Sequence, residues 1–289
     1  MKQKSDVIFY WLTLMSASLI GLLMVGFFVQ MLFSSHAAWA KFGLGFLTSS
    51  EWDPVKEDFG ALSCILGTLI TTLIALAIAV PLAFVSALFI VDAPPFLGRI
   101  LSQAIDLLAA IPSVIYGMWG LFVLCPIMQS LFQPIFPDYN GFGYLTAGLI
   151  LSLMILPYIC AVMRDVFRMT PPMLRESAFG LGCTRWETAR DIVLRYGLRG
   201  VLGGIFVGLG RALGETMAVL FVIGNVMKAP ESLMSSGATI AATLANNFAE
   251  AEGVQKSALF ALGLILLAMS FGIQIVAQYY LSRTGERRS

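Results

Sequence analysis

Arg211 and Glu215 stand four residues apart inside an otherwise apolar stretch that runs from Gly200 to Val219. In a continuous helix that spacing puts both on one face, one turn apart. At mid-membrane an arginine costs roughly 2.5–3.5 kcal/mol, and an acid is penalised comparably. Residues held at that cost face a bundle interior or a water-filled cavity. Two roles fit. The pair can be an ion pair that glues helices together. Alternatively Arg211 is a cationic point on an anion path, with Glu215 holding it in place. A guanidinium suits that task because its fork donates two parallel hydrogen bonds to phosphate or carboxylate.

A second group of residues lies just upstream. Arg164 to Arg199 is 36 residues long and holds seven arginines and no lysine. It contains Glu176-Ser177-Ala178, three residues to Gly182, then nine to Ile192-Val193-Leu194. A polar, basic, helix-prone loop between two apolar segments reads as a docking surface. Bond-making chemistry has no candidate. The chain has no G-x-x-x-x-G-K-[ST], no His-Glu-x-x-His and no Gly-x-Ser-x-Gly. Cys64, Cys125, Cys160 and Cys183 lack metal-ligand spacing, and His36 has no His or Cys nearby. They read as packed small hydrophobes and a loop residue.

The elements that must position these residues are membrane helices. Of 289 residues 58% are hydrophobic and 12% charged, where soluble chains carry roughly a quarter charged. Mean hydropathy is +0.85. Six apolar runs are long enough to cross a bilayer: Val7–Phe33, Ala61–Val91, Ile100–Cys125, Tyr144–Met163, Val201–Gly224 and Ala258–Leu281. Each must be helical, because lipid cannot satisfy open backbone groups. The first is too long for a signal peptide and is expected to be retained. The fold class is therefore an all-α polytopic membrane protein of six transmembrane helices.

Basic residues set the expected orientation. One side collects Lys2, Lys4, Arg99, the seven loop arginines, Arg283, Arg287 and Arg288, against Lys41, Lys56, Lys228 and Lys256 on the other. Both termini and the arginine loop are expected in the cytoplasm. Asp106 falls near the inner boundary and reads as an interfacial polar residue. Pro81, Pro112 and Pro157 fall inside runs and are expected to kink or break helices. Gly200, Gly204 and Gly208 share one face, and Gly210 and Gly214 make a second pair, both spacings suited to close helix packing.

The loop pattern resembles the signature of the inner-membrane subunits of ABC importers: Glu-Ala-Ala, three residues, Gly, nine residues, Ile-x-Leu-Pro. The chain matches at Glu176, Ala178, Gly182, Ile192 and Leu194, and departs at Ser177 and at Arg195, where the family usually has Pro. Within that family it is similar to PstC-type permeases of phosphate importers. That likeness rests on Arg-Ala-Leu-Gly-Glu-Thr-Met-Ala-Val (211–219), Ile223-Gly224-Asn225, Ile111-Pro-Ser-Val-Ile-Tyr-Gly-Met-Trp-Gly-Leu (111–121) and Leu181-Gly-Cys-Thr-Arg-Trp-Glu (181–187).

The resemblance implies a type I ABC importer permease fold in the bacterial inner membrane. Residues 1–60 would form an N-terminal transmembrane helix and periplasmic loop. Residues 61–281 would form the permease domain, with a cytoplasmic coupling loop at 164–200. It implies half of a phosphate path through Arg211 and Glu215, and ATPase coupling through Glu176, Ser177, Ala178, Gly182, Ile192 and Leu194. The implied partners are a second permease (PstA-like), two ATPase subunits (PstB-like), a periplasmic phosphate-binding protein (PstS-like), phosphate and the lipid bilayer. No nucleic acid is expected. This chain would bind no cofactor and catalyse nothing, ATP and Mg²⁺ residing on the ATPase. The competing readings are an ABC permease for another oxyanion or solute, and an autonomous secondary transporter.

Overall fold

A computed structural model describes residues 2–286, with side-chain surroundings for 6–279. Arg287 and Arg288, two of the residues behind the expected orientation, lie outside the described residues, as do the side chains of Lys2, Lys4 and Arg283. Among the described residues, six helices are long and apolar enough to cross a membrane: Asp6–Ser34, Leu62–Asp92, Ser113–Phe132, Tyr144–Arg168, Arg185–Leu213 and Gly253–Tyr279.

Helix α1 (Lys2–Phe42) leaves its apolar residues from Val7 to Val29 exposed and buries only its far end, at Met31, Ser35 and Ala38. A short α2 (Gly45–Thr48) and a two-stranded antiparallel hairpin, β1 (Trp52–Asp53) with β2 (Asp58–Phe59), follow. This hairpin is the only pair of β-strands among the described residues. Helix α3 (Leu62–Asp92) then builds the centre. Ala75, Ala79, Ala83 and Ala87 recur every fourth residue and are fully buried. Small residues at that spacing let a neighbouring backbone come close.

The third apolar run is not one helix. Helix α4 (Pro95–Ala110) stops before Ile111-Pro112, and a second rod begins with α5 (Ser113–Trp119), passes through a π-helical turn and ends in α6 (Cys125–Phe132). Ile111 is extended, as a residue before proline prefers. The membrane-length rod is therefore Ser113–Phe132, not the expected Ile100–Cys125. Pro81 and Pro157 sit inside helices that run through them. Helix α7 (Tyr144–Arg168) is the most buried span and packs chiefly on α3.

Helix α8 (Pro172–Gly180) and α9 (Arg185–Glu187) form the loop, and α9 runs through a π-helical stretch into α10 (Leu194–Leu213). The fifth span ends at Leu213, eleven residues short of the expected Gly224. Beyond it come only α11 (Met217–Leu220) and an irregular stretch before α12 (Ile240–Asn247) and α13 (Gly253–Glu286), which packs along α1.

That irregular stretch survives because neighbours satisfy its backbone. The first amides of α7 have no intrahelical partner. Tyr144 and Leu145 instead donate to the carbonyls of Ser235 and Leu233, and Gly143 donates to Val222 at 3.1 Å. Ile240 N–H donates to Thr68 Oγ1 at 3.0 Å. Gly143 has φ +143°, and a Cβ there would lie 2.6 Å from the Ser235 carbonyl. Only glycine fits this junction.

Candidate functional site: an arginine at a broken helix and an exposed knob

The α7–α10 interface sets the height of Arg211. A Cβ on Gly200 would meet Val166 Cγ2 at 2.3 Å, one on Gly204 would meet Val162 at 3.1 Å, and one on Gly208 would meet Ile159 at 2.5 Å. The two helices are antiparallel here, and the expected glycine face is the contact. Gly210 and Gly214 do not form a second one: their nearest neighbours are Gln274 Nε2 at 3.8 Å and the Gly210 carbonyl at 3.8 Å. Arg211 follows the last contact by one turn and meets Tyr158 of α7. Its guanidinium carbon lies 4.1 Å from the Tyr158 ring centroid, a cation–π stack.

Arg211 and Glu215 do not share a helical face, contrary to the expectation from spacing. The helix ends at Leu213, so the four-residue interval is not a helical turn. No salt bridge joins the two among the described residues. Arg211 is exposed and lines a groove of about 420 Å³ between α10 and α13, with Gln274 and Gln278 opposite. Glu215 is buried, and its Oε1 accepts the Ala218 N–H at 3.2 Å. One is a cation offered to a groove. The other is a carboxylate spent on the backbone of the α11 turn.

Two tyrosines complete the arrangement, and sequence reasoning gave neither a role. Where Pro112 ends α4, the last carbonyls lose their i+4 amides, and the Leu108 carbonyl accepts the Ile111 N–H at 3.3 Å instead. The Tyr158 hydroxyl donates to the Ala109 carbonyl. The Tyr116 hydroxyl donates to Leu108 at 2.9 Å. The available signal was the phenol itself, which needs a partner when buried in an apolar run, near a proline that frees carbonyls.

The second candidate surface is the knob formed by α8 and its turn. Three of the seven loop arginines are anchors rather than docking groups. Arg164 pairs with Asp106 at 3.2 Å and Asp165 at 3.0 Å, so Asp106 is an ion-pair partner rather than a bare interfacial residue. Arg168 donates to Ser102. Arg175 bridges Asp92 at the end of α3, at 3.2 Å, and the Phe167 carbonyl at the end of α7, at 2.9 Å. Arg190 and Arg195 both pair with Asp191.

Of the signature residues, Glu176 and Ser177 are exposed and Ala178 is buried against the loop. Ser177 Oγ donates to the Met173 carbonyl at 2.7 Å. Gly182 has φ +88° and ends the turn, with its N–H on the Phe179 carbonyl and the Cys183 N–H on Ala178. Thr184 and Glu187 then cap the next helix reciprocally. Ile192 and Leu194 are half-buried along the rod, and the helix continues through Arg195 where the family usually has Pro. The knob exposes Met173 (75%), Leu181 (86%) and Trp186 (60%) among Glu176, Arg185 and Glu187. Exposed apolar patches rimmed by polar residues occur at protein–protein or membrane contacts.

The family model described as "Binding-protein-dependent transport system inner membrane component" matches residues 79–286. The chain belongs to this family. Similar curated proteins include the "Phosphate transport system permease protein PstC" of Pasteurella multocida, 46% identical with 96% of this chain and 92% of that protein covered. The protein of the same description from Mesorhizobium japonicum is 46% identical, covering 98% and 92%. A "Probable phosphate transport system permease protein PstC" of Methanocaldococcus jannaschii is 34% identical, covering 92% and 90%.

Solved structures share the fold at low identity. A chain of the bacterial alginate ABC transporter, in complex with its alginate pentasaccharide-bound periplasmic protein, superposes with TM-score 0.67 at 17% identity, covering 97% of each chain. A chain of the inward-facing MetNI methionine ABC transporter gives 0.57 at 16%, covering 78% of this chain and 94% of that one. The fold of this family member is that of a type I ABC importer permease, a multi-pass membrane protein with six candidate spans among the described residues.

Proposed function

We propose that the chain is the permease subunit of an ATP-driven phosphate importer of the bacterial inner membrane. The observation that carries this is 42–46% identity, over nearly its whole length, to phosphate permeases of one description. The geometry supports it. Arg211 offers an anion-matched fork to a groove at the height where α4 and α10 both break. The charge-rimmed apolar knob at 173–186 suits docking on a separate ATPase. In this reading a second permease supplies the other half of the path. Two ATPase subunits bind ATP and Mg²⁺ and take the knob on the cytoplasmic side. A periplasmic binding protein delivers phosphate, and this chain performs no covalent step.

The test is reconstitution in lipid vesicles. This chain alone should move no labelled phosphate under any ion gradient. With the second permease, the ATPase and a loaded binding protein, uptake should require ATP and be outcompeted by phosphate rather than by sulfate, molybdate or tungstate. Gradient-driven uptake by the chain alone would overturn the reading. Preferential uptake of another oxyanion by the full assembly would overturn its phosphate part.

A further inference from the structure

We infer that Tyr158 is a positioning residue for Arg211: its ring is a fixed platform that holds the guanidinium at the groove. This deepens the proposed phosphate path and rests on Arg211 being part of it. The ring is pinned at both ends. Its backbone belongs to α7, the most buried span, and its hydroxyl is tied to the Ala109 carbonyl at the end of α4. A phenol held at Cβ and at its oxygen cannot swing away, so the axis of the ring stays beside Arg211. Arg211 stacks on the ring face at 4.1 Å. An arginine on an exposed helix face has a long flexible stem. Without the platform its guanidinium would sweep the groove beside Gln274 and Gln278 rather than wait at one place.

The carbonyl that holds the phenol exists as a free acceptor because Pro112 breaks the third run. Tyr116 secures the same helix end through Leu108. The elbow of one span thus sets the ring, and the ring sets the arginine of another.

The platform acts through its π face, so tuning that face without changing its shape isolates the role. In the assembled transporter in vesicles, loaded binding protein is titrated, and kcat and KM for uptake are read separately. Tyr158→Phe keeps the ring but releases it from the Ala109 carbonyl, and should lower kcat less than Tyr158→Leu does. Tyr158→Leu removes it and should lower kcat between about threefold and thirtyfold, the range of a cation–π contact. KM for the binding protein should not change, because docking is remote from the ring. Phenylalanines carrying one, two and three fluorines at position 158 preserve size and withdraw π density, and should lower kcat stepwise. A kcat that is flat across the fluorinated series, or equally low for Phe and Leu, overturns the platform role. Arg211→Gln, run alongside, separates the two levels of the argument. If it imports at the wild-type rate, the path through Arg211 fails. If it is deficient while the fluorinated series is flat, only the role of Tyr158 fails.

Discussion

Removing the charges of Arg211 and Glu215 singly and together distinguishes a path residue from helix glue, and the structure fixes the sizes. If the two were a buried ion pair, deleting one partner would strand the other at a cost of about 3–5 kcal/mol, and deleting both would be far milder. The geometry describes two separate contacts instead. Arg211 stacks on Tyr158 while exposed to a groove, a contact of about 0.5–2 kcal/mol. Glu215 accepts one backbone N–H from Ala218. A glutamine oxygen can still accept it, so the loss is the difference between a charged and a neutral hydrogen bond, about 1 kcal/mol. Arg211→Gln and Glu215→Gln should each cost about 1 kcal/mol. The double substitution should cost about 2, with a coupling energy inside about 0.5 kcal/mol. The assay is a double-mutant cycle on the thermal unfolding of purified complex, paired with phosphate uptake per assembled complex. Arg211→Gln should assemble and import little. Glu215→Gln should lose stability before it loses uptake. A large destabilisation by Arg211→Gln that Glu215→Gln rescues would refute the reasoning and make the pair glue.

Gly182→Arg should leave insertion intact and lower transport and transport-linked ATP hydrolysis together. Nothing lies within 4 Å of an added Cβ, so the side chain obstructs only a docking partner, at a backbone cost of about 1–2 kcal/mol for the left-handed conformation; normal ATP coupling in stably assembled Gly182→Arg complex would contradict the role. Gly200→Ala should lower the unfolding midpoint, because its methyl meets Val166 at 2.3 Å and overpacking of about 1–3 kcal/mol outweighs the helix-propensity gain. Gly203→Ala, with open space around it, should raise the midpoint slightly, and the reverse order would show that the stripe is not the α7–α10 contact.

The six spans were readable because crossing a bilayer demands length and apolarity, and both are visible in sequence. Their interruptions were not. The runs at 100–125 and 201–224 stay apolar across their breaks; past the second, Val222 and Ile223 are buried in the protein although the backbone there is no longer helical. Periodicity reports which residues avoid water, not whether the backbone between them is helical. That is why Arg211 and Glu215 looked like neighbours on one face. The glycines at 200, 204 and 208 were legible because they lie within a true helix, whereas Gly210 and Gly214 sit where α10 runs out. The arginine loop was legible as a cluster but not as a set of roles. Asp106 and Asp92, which hold Arg164 and Arg175, lie 58 and 83 residues away in the chain.

The same contacts explain why a knob at one end of the fold has purchase on an arginine well inside it. Leu194 and Arg211 lie on one helix, 17 residues and therefore roughly 26 Å apart. On the other side, Arg175 ties the knob to the Phe167 carbonyl, and Tyr158 lies nine residues back along the same helix, roughly 14 Å. The knob thus holds the near ends of two rods whose far parts meet at the Arg211–Tyr158 stack. Between knob and stack the rods are locked face to face by Gly200, Gly204 and Gly208, where close packing resists sliding. A push on the knob therefore reaches Arg211 as a rigid movement of α7 and α10 together. The compliant joints are the places where helices have ended: Ile111-Pro112, which frees the carbonyl that holds Tyr158, and Gly214-Glu215-Thr216, just past the arginine. Under the proposed function, helical breaks beside the stack and unbroken helix between stack and knob would convert docking at the surface into a change at Arg211.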